Sequence, residues 1–185
     1  MVDTPRPASV YSVAMDERMA VGARTSLPEW PDSVAVDPSG ARFAIIGVGD
    51  AAAEIARGWA SSLDRPVWTF HADRAADAFD ALDAQVRQAR VGWRLMLAGP
   101  EADVLALRSR AISGGAVDEE IRCQVTSRER VVVHCAHCAA ETAVTASAGE
   151  RATCSGCGQP LHIYSHVSRY RGAYLGFRAD VEAFR

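Results

Sequence analysis

Two Cys-x-x-Cys pairs, Cys135/Cys138 and Cys154/Cys157, hold four of the five cysteines of this chain, with fifteen residues between the pairs. This spacing suits a tetrahedral four-thiolate metal site and arises rarely by chance. Each pair predicts a tight turn whose backbone amides point at the sulfurs. Gly156 and Gly158, on either side of Cys157, are expected to supply the positive φ such turns need. Between and after the pairs, Thr142–Thr145, Glu150–Thr153 and Leu161–Tyr164 have the character of three short strands. The expectation is a C-terminal four-cysteine zinc ribbon. With four thiolate ligands there is no open coordination position, so the zinc is read as structural. A unit of this size buries too little apolar surface to fold unaided, and ligation supplies the missing free energy. Iron held as in rubredoxin is the competing reading. The first turn, Cys135-Ala-His-Cys138-Ala139, lacks a following glycine, which weighs for zinc.

The remainder of the 185 residues is long enough for one ordinary domain beside the ribbon. Apolar content of 49% and charged content of 23% are those of a globular chain. No window has the apolar length of a membrane span, and Met1–Tyr11 lacks the core of a signal peptide. The expectation is a cytoplasmic protein without membrane contact, where paired cysteines bind metal rather than each other. The chain contains no lysine, and its net charge of −3 argues against a nucleic-acid partner. Cys123 stands alone in an expected strand and reads as a packing residue rather than a nucleophile.

Four segments are expected: an extended arm over 1–40, an α/β domain over 41–126, the ribbon over 127–168 and a tail over 169–185. The arm carries Pro5, Pro7, Pro28, Pro31 and Pro38, while Val10, Tyr11, Val13, Leu27 and Trp30 are apolar enough to lie against a domain or a partner. In the α/β domain, strands are expected at 42–48, 65–70, 93–98 and 120–125. Helices are expected at 51–63, capped by Asp50, at 73–90, and from Gly99-Pro100 to about 112 with Pro100 in the first turn. Alternation of this kind implies an α/β fold with a small three-layer parallel sheet.

Glycines at the expected strand ends, Gly47, Gly49, Gly99 and Pro100 beside them, are the nucleotide-binding candidates, because ligands of open α/β sheets sit there. Against that reading, Ala52 replaces the third glycine of Gly-x-Gly-x-x-Gly, and Asp50 places a carboxylate where a pyrophosphate would meet a helix N-terminus. Turn chemistry alone accounts for both glycine features. No catalytic residue is assigned. His162 and His166 are surplus to a site already filled by thiolates, His134 and His137 are expected to be exposed, and His71 is expected in a loop. Arg128, Arg130, Arg169 and Arg171 are read either as cations offsetting the thiolates or, for Arg169 and Arg171 with Tyr170 and Tyr174, as a contact surface.

The run Leu95–Val125, LMLAGPEADVLALRSRAISGGAVDEEIRCQV, resembles the end of the nicotinamide-binding domain of ferredoxin-reductase-type oxidoreductases. Ala98 stands where that family has a cysteine, and the phosphate loop is reduced to Gly47-Val-Gly49. The segment from Cys154 through His166-Val-Ser-Arg-Tyr-Arg-Gly-Ala-Tyr-Leu-Gly176 resembles the C-terminal signature of the dimethylamine monooxygenase small-subunit family, which joins a small α/β domain to a four-cysteine ribbon. His166, Ser168, Arg169, Ala173, Tyr174 and Gly176 match its pattern, with Val167 for Phe and Tyr170 for Arg, and the resemblance spans about residues 41–180. It implies an accessory subunit of a hetero-oligomeric, NADPH-dependent monooxygenase. In such a complex a haem subunit converts dimethylamine to methylamine and formaldehyde with O2, and flavin and an iron–sulfur cluster sit on a reductase subunit. The chain itself is then non-catalytic. The alternatives are an NAD(P)H-binding module delivering electrons within the complex and a zinc-ribbon nucleic-acid binder.

Overall fold

The computed structural model describes residues 27–179. Val10, Tyr11 and Val13 of the arm, and the tail beyond residue 179, lie outside the described residues. Four strands, β1 (Arg42–Val48), β2 (Val67–Ala72), β3 (Trp93–Gly99) and β4 (Ile121–Val125), form a parallel sheet in the order β2-β1-β3-β4. Helices α1 (Asp50–Ser61), α2 (Phe79–Gln88) and α3 (Glu101–Ser113) connect them. Strand β1 is buried at every position after Arg42, as a central strand covered on both faces must be. Its alternate residues feed two cores. Ala44, Ile46 and Val48 join Leu95, Leu97, Leu82, Val104 and Leu107 under α2 and α3. Phe43 and Ile45 join Met96, Ala52 and Trp59 under α1. The apolar stripe Phe79, Leu82 and Val86 of α2 packs on the first of these.

Local details depart from the expectations at element ends. Gly49, at φ 77°, is the N-cap of α1, and Asp50 is its first helical residue with no capping hydrogen bond. Pro100 is the N-cap of α3 rather than a first-turn residue. The expected helix over 73–90 opens as a 3₁₀ turn, Ala75–Ala78, because Asp103 Oδ1 accepts the Ala75 amide and ties that turn to α3. The second strand lies two residues later than expected, so His71 is an exposed strand residue, not a loop residue.

Strands β5 (Val131–Cys135), β6 (Glu141–Val144), β7 (Arg151–Thr153), β8 (Pro160–Ser168) and β9 (Ala173–Arg178) form a second, mixed sheet in the order β6-β5-β9-β8-β7. Residues 173–178 were expected in a tail, yet β9 is the central strand, parallel to β5 and antiparallel to β8. Single-sequence patterning missed it because its place at the centre of the sheet rests on pairing with β5, about forty residues earlier in the chain. Val131, Val133, Leu161, Ile163 and Tyr174 line the face that meets α3 through Leu105. The opposite face carries rings in succession: His162 against Phe177 at 5.2 Å, and Tyr164 against both Phe177 and His166.

Helix α3 is thus enclosed on two sides, and its buried polar residues bridge to the elements around it. Glu101, 3% exposed, receives the Trp30 indole N–H at 3.0 Å and the Tyr174 hydroxyl at 2.9 Å on one oxygen. Burial, then the Glu101 charge, pushes the Tyr174 phenol upward, so it stays a donor. Asp103 receives Arg130 at 2.8 Å, and Ser109 donates to the Tyr170 carbonyl at 2.6 Å. Trp30 packs against both the α2/α3 core and the second-sheet core, and Val34 accepts the Trp59 indole N–H at 2.8 Å, so residues 27–36 of the arm do lie against the body.

Gly172, at φ 63° in the β8–β9 turn, brings the second sheet against the α3 backbone. A Cβ there would stand 2.5 Å from the Leu105 carbonyl oxygen. The left-handed conformation alone costs a non-glycine residue about 1–2 kcal/mol. Gly172→Ala should lower unfolding stability by more than that amount, read as a lower urea midpoint with an unchanged slope.

Candidate metal centre

Cys135 ends β5, Cys138 follows it in a turn, and Cys154 and Cys157 occupy the matching turn between β7 and β8. The four Sγ atoms lie within 4.8 Å of one another, with Cys135–Cys157 at 3.9 Å and Cys138–Cys154 at 3.6 Å. A tetrahedron with zinc–sulfur bonds of about 2.3 Å has edges of about 3.8 Å, so the donor set fits one such ion. The distances are far beyond a disulfide bond.

The two turns repeat one design. The Ala139 amide donates to the Cys135 carbonyl and the Gly158 amide to the Cys154 carbonyl, both at 2.9 Å. Gly158 has φ 70° and Ala139 has φ 62°, so an alanine occupies the left-handed position that glycine fills in the second turn. Gly156 does not take positive φ, contrary to expectation. It is needed for space, since a Cβ would sit 2.6 Å from that of Ala140 and 3.2 Å from the Cys138 sulfur. The turn amides of Cys157 and Gly156 donate to the Cys154 sulfur and hold that thiol down at about 6, against burial. The Gln159 amide favours the Cys157 thiolate, but burial and the three neighbouring sulfurs outweigh it and push this thiol up to about 12. Four sulfurs this close cannot all ionise unless a cation shares their charge.

The surrounding side chains differ from the expectations in three respects. His134, flanked in β5 by β6 and β9, is buried at 8% exposure, and among the described residues its Nδ1 has no hydrogen-bond partner; His137 is exposed in the first turn as expected. Arg128, Arg130, Arg169 and Arg171 do not surround the thiolates. Arg130 precedes β5 and Arg169 and Arg171 precede β9, whereas Cys135 pairs with Gly176 toward the far end of both strands. Tyr174 is a buried hydrogen-bonding residue rather than part of a contact surface.

The glycine candidates fall at the C-terminal ends of β1 and β3, where the chain turns to opposite edges of the sheet. Gly47 packs on the Ala52 carbonyl, and Gly99 on Val48, whose carbonyl oxygen would lie 3.1 Å from a Cβ. Pro100 leads into α3, whose first turn carries Glu101 and Asp103, and α1 starts with Asp50. Carboxylates therefore sit at both helix N-termini, where a diphosphate would need bare amides. Glu101, which fills one of these places and binds the arm to the second sheet, was not singled out from sequence. The acid after Gly99-Pro100 was the available signal.

Residues 132–177 match the family model described as dimethylamine monooxygenase subunit DmmA-like, C-terminal domain. A curated relative from Ectopseudomonas mendocina (strain ymp), the heme-dependent oxidative N-demethylase delta subunit, is 37% identical over 107 residues. That match covers 58% of this chain and 60% of the relative, so the chain spans under two thirds of the relative's length. No solved structure matches the chain. The matched family segment contains all four cysteines and most of β9.

Two outcomes follow from this geometry. Ala139→Gly should raise thermal stability by about 0.5–1 kcal/mol, because glycine takes the left-handed conformation without strain. Cys123, whose thiol burial pushes up to about 12, should resist iodoacetamide at pH 8 in the folded protein and react after unfolding. Labelling of that position under native conditions would contradict its packing against the α2/α3 core.

Proposed function

We propose that this chain, a member of the dimethylamine monooxygenase small-subunit family through its C-terminal domain, is an accessory subunit of a multi-subunit haem-dependent oxidative N-demethylase. The observation that carries the reading is the 37% identity to a curated delta subunit of such an enzyme, together with the family match across the cysteine sheet. In this reading a haem subunit uses O2 and electrons from NADPH to convert dimethylamine to methylamine and formaldehyde. Flavin and an iron–sulfur cluster reside on a reductase subunit. The present chain acts as a cytoplasmic, non-catalytic scaffold within the hetero-oligomer.

The α/β body over 41–126 keeps a framework similar to a ferredoxin-reductase nicotinamide domain, and the zinc ribbon, 127–168 completed by β9, is braced on it through α3. Cys135, Cys138, Cys154 and Cys157 would hold one structural zinc. Zinc supplies charge neutralisation and a fold-closing crosslink there, and four thiolates leave no position for substrate. The carboxylates Asp50, Glu101 and Asp103 at the helix starts favour a scaffold over an NAD(P)H-binding module. Among the described residues no helix is long and apolar enough to cross a membrane.

The purified chain is expected to contain about one zinc per molecule and no haem or flavin absorbance. Cys154→Ser with Cys157→Ser should lose the zinc, lower the melting temperature and remove the chain from the co-expressed complex. Iron in place of zinc, or a visible cofactor in metal-replete protein, would contradict the reading. NADPH titration followed by nicotinamide fluorescence tests the alternative, and saturable binding to the isolated chain would favour it.

A further inference from the structure

The β8–β9 turn, Arg169-Tyr170-Arg171-Gly172, is held from beneath at three places. The Tyr170 carbonyl accepts Ser109 Oγ, Gly172 abuts the Leu105 carbonyl, and Tyr174 two residues on donates to Glu101. Its backbone is therefore set by α3, while its side chains are left outward. Arg169 and Arg171 are exposed, and Tyr170 is 70% exposed. Beside the turn lies a cleft of about 380 Å³, open to solvent, with Leu105 and Val167 on its floor and Arg108, His166, Arg169 and Tyr170 around it.

The charge of this cleft is one-sided. Two guanidinium groups and an imidazole line it, and among the described residues no carboxylate does, in a chain whose net charge is −3. Arg108 is neutralised by Asp118, but Arg169 has no ion pair or side-chain hydrogen bond among the described residues. A shallow cleft encloses a small free molecule poorly. It suits an extended peptide segment that places a carboxylate on Arg169 and an apolar side chain on Leu105 and Val167. The exposed tyrosine would then close over that segment. Tyrosine and arginine on a preorganised backbone are the residues that carry interface energy, since little conformational freedom is lost on docking.

We infer that this cleft and turn form the docking site for an acidic segment of a partner subunit. The inference rests on the subunit reading above and names the surface by which that subunit is held. Contacts of this kind are strengthened by charge and weakened by salt.

The absence of lysine gives a direct test. In the complex co-expressed with the haem and reductase subunits, Arg169→Lys keeps the positive charge and places the chain's one side-chain amine in the cleft. A carbodiimide should then join that amine to an Asp or Glu of a partner subunit, identified by mass spectrometry. Arg169→Glu and Tyr170→Ala, which alter exposed side chains, should each weaken association at least tenfold without shifting the melting temperature. Arg57→Glu, on the exposed side of α1, should change it less than twofold. Raising sodium chloride from 50 to 500 mM should weaken the wild-type complex.

A carbodiimide product joining the introduced amine only to another copy of this chain would overturn the inference. So would wild-type association of Arg169→Glu and Tyr170→Ala while Cys154→Ser abolishes it, a result that leaves the subunit reading standing with the docking site elsewhere. Failure of the wild-type chain to associate with either subunit would remove the subunit reading itself.

Discussion

The burial of helix α3 between two sheets is the constraint on which the rest of the molecule depends. A surface helix needs one apolar stripe, but α3 must satisfy two partners. Val104, Leu107 and Ala111 face the parallel sheet, and Leu105 faces the second sheet. The residues between these contacts are polar and buried, and each has a partner across a boundary. Glu101 reaches Trp30 and Tyr174, Asp103 reaches Ala75 and Arg130, and Ser109 reaches Tyr170. Removing a partner would strand a desolvated polar group, so these bonds set relative position more than they add stability.

This arrangement separates two ends of the second sheet. At one end the paired turns bring four sulfurs to tetrahedral spacing, with amides directed at them. At the other, the β8–β9 turn presses on α3 and carries its arginines and Tyr170 outward. Strand β9 connects the two. Cys135 is beside Gly176 near its C-terminal part, and the turn immediately precedes Ala173. Gly176 is also where a Cβ would stand 2.5 Å from a Val133 methyl, so close strand packing near the sulfurs requires glycine. Loosening the sulfur end would therefore reach the turn through one short strand.

The order of the parallel-sheet elements was legible because its central strands are continuous apolar runs separated by helices, as at Arg42–Val48 and Trp93–Gly99. The cysteine spacing likewise announced the sulfur cluster. Strand β9 was not legible, since its pairing with β5 joins residues about forty positions apart and its sequence, AYLGFR, alternates weakly. The arginines expected near the thiolates and the surface role expected for Tyr174 failed for one reason. Each depended on where the second sheet lies against α3, which no local pattern encodes.

By itself, the sequence determined the element order of the α/β body, the four clustered cysteines and their turns. These are properties of nearby residues: apolar period, turn glycines and the reach of a Cys-x-x-Cys loop. Only the tertiary structure decided that β9 is central, that Glu101 and Asp103 occupy a helix start otherwise suited to phosphate, and that Arg169 stands over a cleft with no ion pair among the described residues. Those outcomes come from packing two sheets on one helix, where the position of a polar group is set by its partner across the interface rather than by its neighbours in the chain.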